Sequence, residues 1–361
     1  MWPDRRIQDL FGIELPIIQA PMAGPIDAEM AVAVAEAGGL GSLPAALLSA
    51  EALRTQLGII RQRTTRPINV NFFCHSAPTP DPEREATWKR ALAPLYVELG
   101  LDPETPTPAG GRAAFDEATC ELVEEFRPEV VSFHFGLPHQ PLLDRVRATG
   151  ARILSTATTV AEARWLEDRG CDAIIAQGAE AGGHRGMFLT TDVTAQPGTF
   201  ALVPQVVDAV RVPVIAAGGI ADARGIIAAF ALGAAAVQIG TAYLFCPEAR
   251  IAAPHRAALA TARDDATAIT NIFTGRPARG ITNRVMRELG PMSPLAPDFP
   301  LAGGALAPLR AASEPTGSGD FMSLWAGQAA ALGHEEPAGA LTRRLATEAL
   351  TLIEQGLRSS N

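Results

Sequence analysis

From Leu15 to Thr241 the chain holds eight short apolar runs, mostly separated by longer stretches of helical periodicity. The runs are Leu15–Ala20, Leu40–Leu43, Pro67–Phe73, Glu129–Phe135, Ala151–Ser155, Asp172–Ala176, Val212–Ala217 and Ala235–Ile239. The spacing predicts helices over 28–37, 51–63, 112–126, 140–149, 160–169, 200–210 and 223–232. Leu53, Leu57 and Ile60 show the periodicity, Asp27 can cap the first helix, and Gly38-Gly39 can stop it. Thr158 or Thr159 can cap the helix over 160–169. Such alternation implies parallel strands joined by right-handed crossovers. Eight units in about 230 residues match a (β/α)8 TIM barrel, expected over residues 1–247. An open doubly wound sheet is the alternative. It rarely needs eight parallel strands, and no G-x-G-x-x-G follows the first strand, where Gly39-Leu40-Gly41 stands alone.

Two regions depart from the repeat. Residues 74–110 carry many prolines, a charged run from Asp81 to Arg90 and Gly110-Gly111, with one helix expected near 84–99. This excursion follows a strand end, which puts it at the barrel rim. A cover over the mouth and an interaction surface are equally compatible with it. Beyond Phe245 the alternation stops. Residues 248–335 read as a mainly helical lid or substrate region with breaks at 275–280, 290–304 and 315–319, and 336–361 as a terminal helix packing back on the barrel. A helical tail on the barrel's outside is the plainer alternative for the whole region. Within it, Gly275–Gly280 and Trp325–Gln328 look like contact segments.

Composition narrows the chemistry. A net charge of −9 argues against nonspecific binding to nucleic acid or an anionic membrane. No apolar run is long enough to cross a bilayer, and no apolar segment follows Arg5-Arg6 as in a signal peptide. Cys74, Cys120, Cys171 and Cys246 are far apart, which fits a reducing cytoplasm rather than a zinc site or disulfide framework. Lys89 is the sole lysine and lies in the charged excursion, so Schiff-base chemistry is close to excluded. No G-x-S-x-G elbow occurs, and no metal site is expected from the histidine spacings.

The richest stretch follows the sixth strand: Gln177-Gly-Ala-Glu-Ala-Gly-Gly-His-Arg-Gly186. A buried strand running into a glycine-dense loop puts chemistry at the carboxyl edge of the sheet, and glycine lets backbone approach a ligand. His184 is the group there that titrates near neutral pH; a tight turn with a solvated histidine is the bland alternative. Gly218-Gly219 and Gly240-Thr241 end the last two strands, a position that suits a phosphate. Paired turns that need glycine would look the same. Asn71 and Gln177 end strands with carboxamides, suited to the N–C=O edge of a flavin or to satisfied strand caps. His134 could face the same mouth or be a core histidine bonded to backbone. Glu180 is the one carboxylate in the loop and could be structural.

These segments carry a resemblance. Gln19-Ala-Pro-Met-Ala-Gly24, Ser132-Phe-His-Phe-Gly136, the 177–186 loop, Ala216-Ala-Gly-Gly-Ile220 and Gln238-Ile-Gly-Thr241 resemble the nitronate monooxygenases of the class I type, from about residue 7 to 330. The related flavin enoyl-ACP reductases share the histidine loop but differ at the first motif. The resemblance implies an FMN-containing barrel that oxidises an alkyl nitronate, such as propionate 3-nitronate, with O2. The products would be a carbonyl compound and nitrite, formed through a flavin semiquinone without NAD(P)H. By position, Ala20, Pro21, Met22, Asn71, Gln177, Gly182, Gly183, Gly218, Gly219, Gln238, Ile239, Gly240 and Thr241 would hold FMN. His184 would be catalytic, and His134 is a candidate for substrate contact. His184 could hold the anionic nitronate while protonated, or take the carbon proton of a neutral nitroalkane. An NAD(P)H-dependent flavin reductase of enoyl thioesters or quinones is the alternative, and a phosphate-ligand-binding barrel without turnover is a second. A monomer and a homodimer are both compatible. Family members often carry tyrosines and a lysine near the flavin; Phe299–Arg310 has neither, which puts the substrate in question more than the cofactor.

Overall fold

The computed structural model describes residues 1–108 and 111–356. Gly110, named above with Gly111 at the end of the excursion, and the end of the expected terminal helix, 357–361, lie outside them.

The eight apolar runs are eight parallel strands. In chain order they are β1 (Ile17–Gln19), β2 (Gly41–Pro44), β3 (Ile68–Phe73), β4 (Val130–His134), β5 (Arg152–Ala157), β6 (Ala173–Gln177), β8 (Val214–Ala217) and β9 (Ala236–Ile239). A short β7 (Gly183–His184) intervenes and belongs to another sheet. The order β1-β9-β8-β6-β5-β4-β3-β2 leaves β1 and β2 as the ends. These meet through Leu40, which bridges Ile18 in parallel; its N–H donates to Ile17 O (2.9 Å) and its carbonyl accepts from Gln19 N–H (3.0 Å). The sheet thereby closes into the expected barrel.

Side-chain alternation along each strand separates two cores. Ile17, Ile174, Val214 and Val237 point outward into the large layer shared with the surrounding helices. Ile18, Ile175, Ile215 and Ala236 point inward and fill the barrel. The inner core also takes Ile7 and Phe11 from α1 (Arg6–Phe11), so an N-terminal helix that periodicity did not suggest plugs the end away from the loops. Strands buried on both faces read as near-continuous apolar runs, which is why they were visible in sequence.

Helices α2 (Ala28–Glu36), α3 (Ala50–Arg63), α6 (Gln140–Ala148), α7 (Val160–Glu167), α8 (Thr199–Ala209) and α9 (Ala223–Ala231) fall close to their expected spans, with Asp27, Ser49, Thr159 and Asp222 accepting from first-turn N–H groups. α5 (Glu117–Phe126) starts five residues later than the periodicity suggested. An Asp116–Thr119 capping box sets its start, and before it Phe115 N–H donates to Phe73 O. That pairing draws 111–115 along the end of β3 to the barrel mouth.

The excursion folds into α4 (Pro82–Glu98) and packs on the C-terminal region. Trp88 Nε1 donates to Ala302 O (3.0 Å), Tyr96 Oη to Ala305 O (2.6 Å), and Arg284 grips Glu98 with two bonds of 2.7 and 2.6 Å. Residues 248–335 add two strands to the helices expected there. Besides α10 (Ala253–Ala260), α11 (Arg284–Glu288) and α12 (Ala307–Ser313), they hold β10 (Thr267–Thr270) and β11 (Ala278–Ile281). β11 pairs antiparallel with β10 on one side and with β7, the histidine segment, on the other. Strands of four residues between Gly/Pro breaks have no periodicity of their own; their partner creates them. α13 (Ala338–Gln355) returns to the barrel's outer face, where Leu341, Leu345 and Ala349 enter the main core. No helix is long and apolar enough to cross a membrane among the described residues.

Candidate active site

One cavity at the carboxyl ends of the strands is lined by nearly all the residues singled out in sequence. Ala20, Pro21 and Met22 follow β1, Asn71 ends β3, His134 ends β4 and Gln177 ends β6. Gly182, Gly183 and His184 come from the following loop, Gly218 and Gly219 follow β8, and Gln238, Gly240 and Thr241 sit at the end of β9. Ile239 is the exception. Its side chain is fully buried in the outward-facing core, as alternation along β9 requires.

The loop's conformation is set by groups that look functional but are spent on structure. Arg185 is fully buried, and its guanidinium donates to Gly178 O (2.5 Å), Gln177 O (2.7 Å) and Gln196 Oε1 (3.0 and 3.1 Å). Burial, then nearby Arg279, pulls its pKa down to about 10. Glu180 lines the cavity, yet its carboxylate accepts from Thr199 N–H and Oγ at the start of α8. Gly182 is required because a Cβ there would lie 2.5 Å from Gly327 N. Gly218 adopts a φ of 115°, a region that disfavours side chains.

Gln177 and His134 both brace the histidine loop. Gln177 Nε2 donates to His184 O (3.0 Å) and its Oε1 accepts from Gly186 N–H (2.8 Å), so both ends of the carboxamide clamp the loop. Each end keeps one further hydrogen-bonding position, and the residue lines the cavity. His134 contacts the carbonyl of His184 through Nε2 (3.3 Å) and Thr156 Oγ1 through Nδ1 (3.1 Å). A carbonyl only accepts, so Nε2 carries the proton and Nδ1 accepts from the hydroxyl. Burial, the largest influence, brings the His134 pKa down to about 3. It is the backbone-bonded histidine, it supports His184, and it also lines the cavity. Asn71 Nδ2 is engaged by Ser132 at 3.0 and 3.2 Å.

His184 stands at the seam between barrel and roof. Its backbone is in β7, paired with Ala278 of β11. Its ring is enclosed by Phe73, Phe135, Phe299 and Trp325 at centroid distances of 5.9, 5.9, 5.4 and 5.6 Å. Nε2 meets Thr274 Oγ1 at 3.0 Å, and that hydroxyl donates onward to Arg276 O at 3.4 Å. Thr274 thus accepts from Nε2–H, which leaves Nδ1 as the basic nitrogen. Burial first, then the positive charge of Arg112 and of other neighbours, holds the His184 pKa well below the usual 6.5. The imidazole is neutral at pH 7. The lowered basicity suits the second role expected of His184, taking the carbon proton of a neutral nitroalkane, and Arg112 and Arg276 bring positive charge nearby.

Sequence reasoning had flagged the segments of Arg276 and Trp325 but not Thr274, Arg112, Phe73 or Phe299. Arg112 carried no signal beyond its neighbouring glycines. Gln238 Oε1 is buried and has no hydrogen-bond partner among the described residues. Beside it are the backbone turns at Gly218-Gly219 and Gly240-Thr241. A planar heterocycle with an N–H donor and a phosphate fits these features.

A family model described as nitronate monooxygenase matches residues 4–348. The chain belongs to the nitronate monooxygenase family. A nitronate monooxygenase of Pseudomonas aeruginosa is 44% identical over 345 residues, covering 95% of this chain and 98% of its own. One from Paraburkholderia phytofirmans is 41% identical over 355 residues, covering 97% and 96%. The crystal structure of a nitroalkane oxidase from Streptomyces ansochromogenes superposes with a TM-score of 0.88 at 39% identity, covering 98% of this chain and 100% of that one. The nitronate monooxygenase match takes in the barrel and the roof together, so the cavity between them belongs to an enzyme of the oxidoreductase class.

Proposed function

We propose that this enzyme binds FMN in the strand-end cavity and oxidises alkyl nitronates, such as propionate 3-nitronate, with O2 to a carbonyl compound and nitrite. The observation that carries the reading is the pairing, in one cavity, of a neutral, anchored His184 with an acceptor, Gln238 Oε1, that lacks a donor. The chain's own residues suit this cofactor. Gln238 would accept from a flavin N–H, and the turns at Gly218-Gly219 and Gly240-Thr241 would offer backbone N–H groups to the phosphate. Met22 and Gly182 would border the ring. Bound FMN supplies the acceptor of substrate electrons and the reaction with O2.

The residues then divide the remaining tasks. Nδ1 of His184 takes the α-carbon proton from a neutral nitroalkane, with Thr274 fixing the tautomer and Gln177 and His134 holding its carbonyl. A substrate that enters already as a nitronate needs no such transfer. Phe73, Phe135, Phe299 and Trp325 keep water from the imidazole and lower the local dielectric. FMN-loaded protein given propionate 3-nitronate without NAD(P)H should consume O2 rapidly and release nitrite. A yellow protein that ignores the nitronate yet is reduced rapidly by NADH or NADPH would overturn the reading in favour of a reductase.

A further inference from the structure

Arg185 and Glu162 are both fully buried, yet the cation and the carboxylate do not touch. The guanidinium spends its hydrogen bonds on neutral oxygens, those of Gly178, Gln177 and Gln196. From Gln196 the bonds continue in one sense. Gln196 Nε2 donates to Thr158 Oγ1 (2.8 Å), and that hydroxyl donates to Glu162 Oε2 (2.7 Å). Every donor in the series points from the cation toward the carboxylate, so two neutral side chains polarise in the same direction between the charges. Either charge buried alone would be costly, and the relay compensates both.

Glu162 is the third residue of α7, a position from which a glutamate ordinarily turns back to the start of its own helix. Only Oε2 does this, by accepting from Thr158 N–H (2.7 Å). Oε1 instead accepts from Phe188 N–H (2.6 Å) and Leu189 N–H (3.1 Å), beyond the histidine in the loop after β6. A helix cap has no need of that reach. The segment from His184 to Leu189 is therefore held at both ends. At the near end, Arg185 ties its side chain to the carbonyls of Gln177 and Gly178, and its own N–H donates to Pro277 O in the roof (2.9 Å). At the far end stands Glu162. Little room is left between them: a Cβ on Gly186 would lie 2.5 Å from Thr156 Cγ2 and 2.9 Å from His134 Cε1.

We infer that Glu162 is a positioning residue for His184: from outside the cavity lining, through the Thr158–Gln196–Arg185 relay and the backbone of Phe188 and Leu189, it fixes the loop that aims the imidazole. The histidine itself has only the two-residue β7 to hold it, so the carboxylate acts as the remote half of its support. This inference rests on the proposed reading of His184 as the group that takes the substrate proton.

The test uses FMN-loaded, full-length protein and the variants Glu162→Gln, which keeps the shape and removes the charge, Glu162→Asp, which keeps the charge, and Thr158→Val, which interrupts the relay. The first readout is the side-chain 15N spectrum of histidine-labelled protein, with His184 assigned by its loss in His184→Asn. The wild type should show Nε2 protonated and Nδ1 bare. In Glu162→Gln and Thr158→Val the two His184 shifts should move toward the average of the two tautomers, and Glu162→Asp should restore part of the difference. The second readout is turnover of a neutral nitroalkane: kcat should fall about 10- to 100-fold in Glu162→Gln while KM stays within about 3-fold. Glu162→Gln combined with Thr158→Val should lose no more than Glu162→Gln alone, as members of one relay require. If Glu162→Gln does not fold, Thr158→Val and Glu162→Asp decide by the same readouts. Unaltered His184 shifts in the folded variants, or full kcat in them while His184→Asn is inactive, would reduce Glu162 to a helix cap and overturn the inference. Full turnover by His184→Asn would instead sink the proposed role of His184, and the 15N shifts would still decide whether Glu162 aims the ring.

Discussion

The barrel face and the roof face of the cavity are built on opposite plans. The barrel face uses backbone turns and carboxamides whose hydrogen bonds are closed within the protein, Gln238 Oε1 excepted: Gln177 on His184 and Gly186, Asn71 on Ser132, His134 on Thr156 and His184. The roof face is aromatic and cationic, and it leaves Arg276 Nη1 without a partner. A satisfied wall is rigid and holds geometry; an unsatisfied wall is a demand for a ligand. His184 lies where the two meet, with its carbonyl held by the barrel and its imidazole by the roof.

The sharpest way to break this comparison is at the seam. His184→Asn should retain bound FMN and lose on the order of 10²–10⁴-fold in turnover of a neutral nitroalkane, measured by nitrite release. Undiminished turnover would remove the imidazole from the mechanism. In the roof, Trp88→Ala deletes a buried ring that anchors the excursion to Ala302, and urea denaturation should show a loss of about 3–5 kcal/mol. A loss below about 1 kcal/mol would mean that the excursion is not a structural part of the roof. Thr274→Val keeps the shape and removes the partner of Nε2, so kcat should fall by about 10-fold while KM changes little. An unchanged kcat would show that the tautomer does not depend on Thr274.

On the barrel side the smallest effect is a pH dependence of stability. His134 has its pKa lowered from 6.5 to about 3 in the folded chain, burial being the main cause. Below pH 6.5 the unfolded chain binds a proton that folded His134 does not, so its contribution is present above pH 6.5 and is lost as pH falls toward 3. The slope is at most about 1.4 kcal/mol per pH unit. His134→Gln should flatten the fall of Tm between pH 6.5 and 4; an unaltered slope would mean that His134 is protonated in the native state.

The ends of the chain's elements show how far sequence reading reached. Asp27 and Thr159 cap the helices they were expected to cap, whereas α5 was placed too early because 112–116 has a helical composition and only its pairing with Phe73 pulls it straight. The glycine turns and His184 were visible because each follows an apolar strand within one short segment. Thr274, Arg112 and Phe299 were not visible, since they lie in segments without periodicity and reach His184 only through folding.

Local order, then, was determined by the sequence itself: eight buried strands, their helices, the inner and outer cores, and a histidine loop at the carboxyl edge. These follow from side-chain period and turn chemistry, which act over a few residues. The tertiary structure alone decided that β7 pairs with β11, that Gln177 and His134 support the loop, that His184 is anchored by Thr274 with its basicity lowered, and that Arg276 Nη1 has no partner among the described residues. Hydrogen-bond partners, burial and electric field depend on residues distant in the chain, and only packing brings those residues to one place.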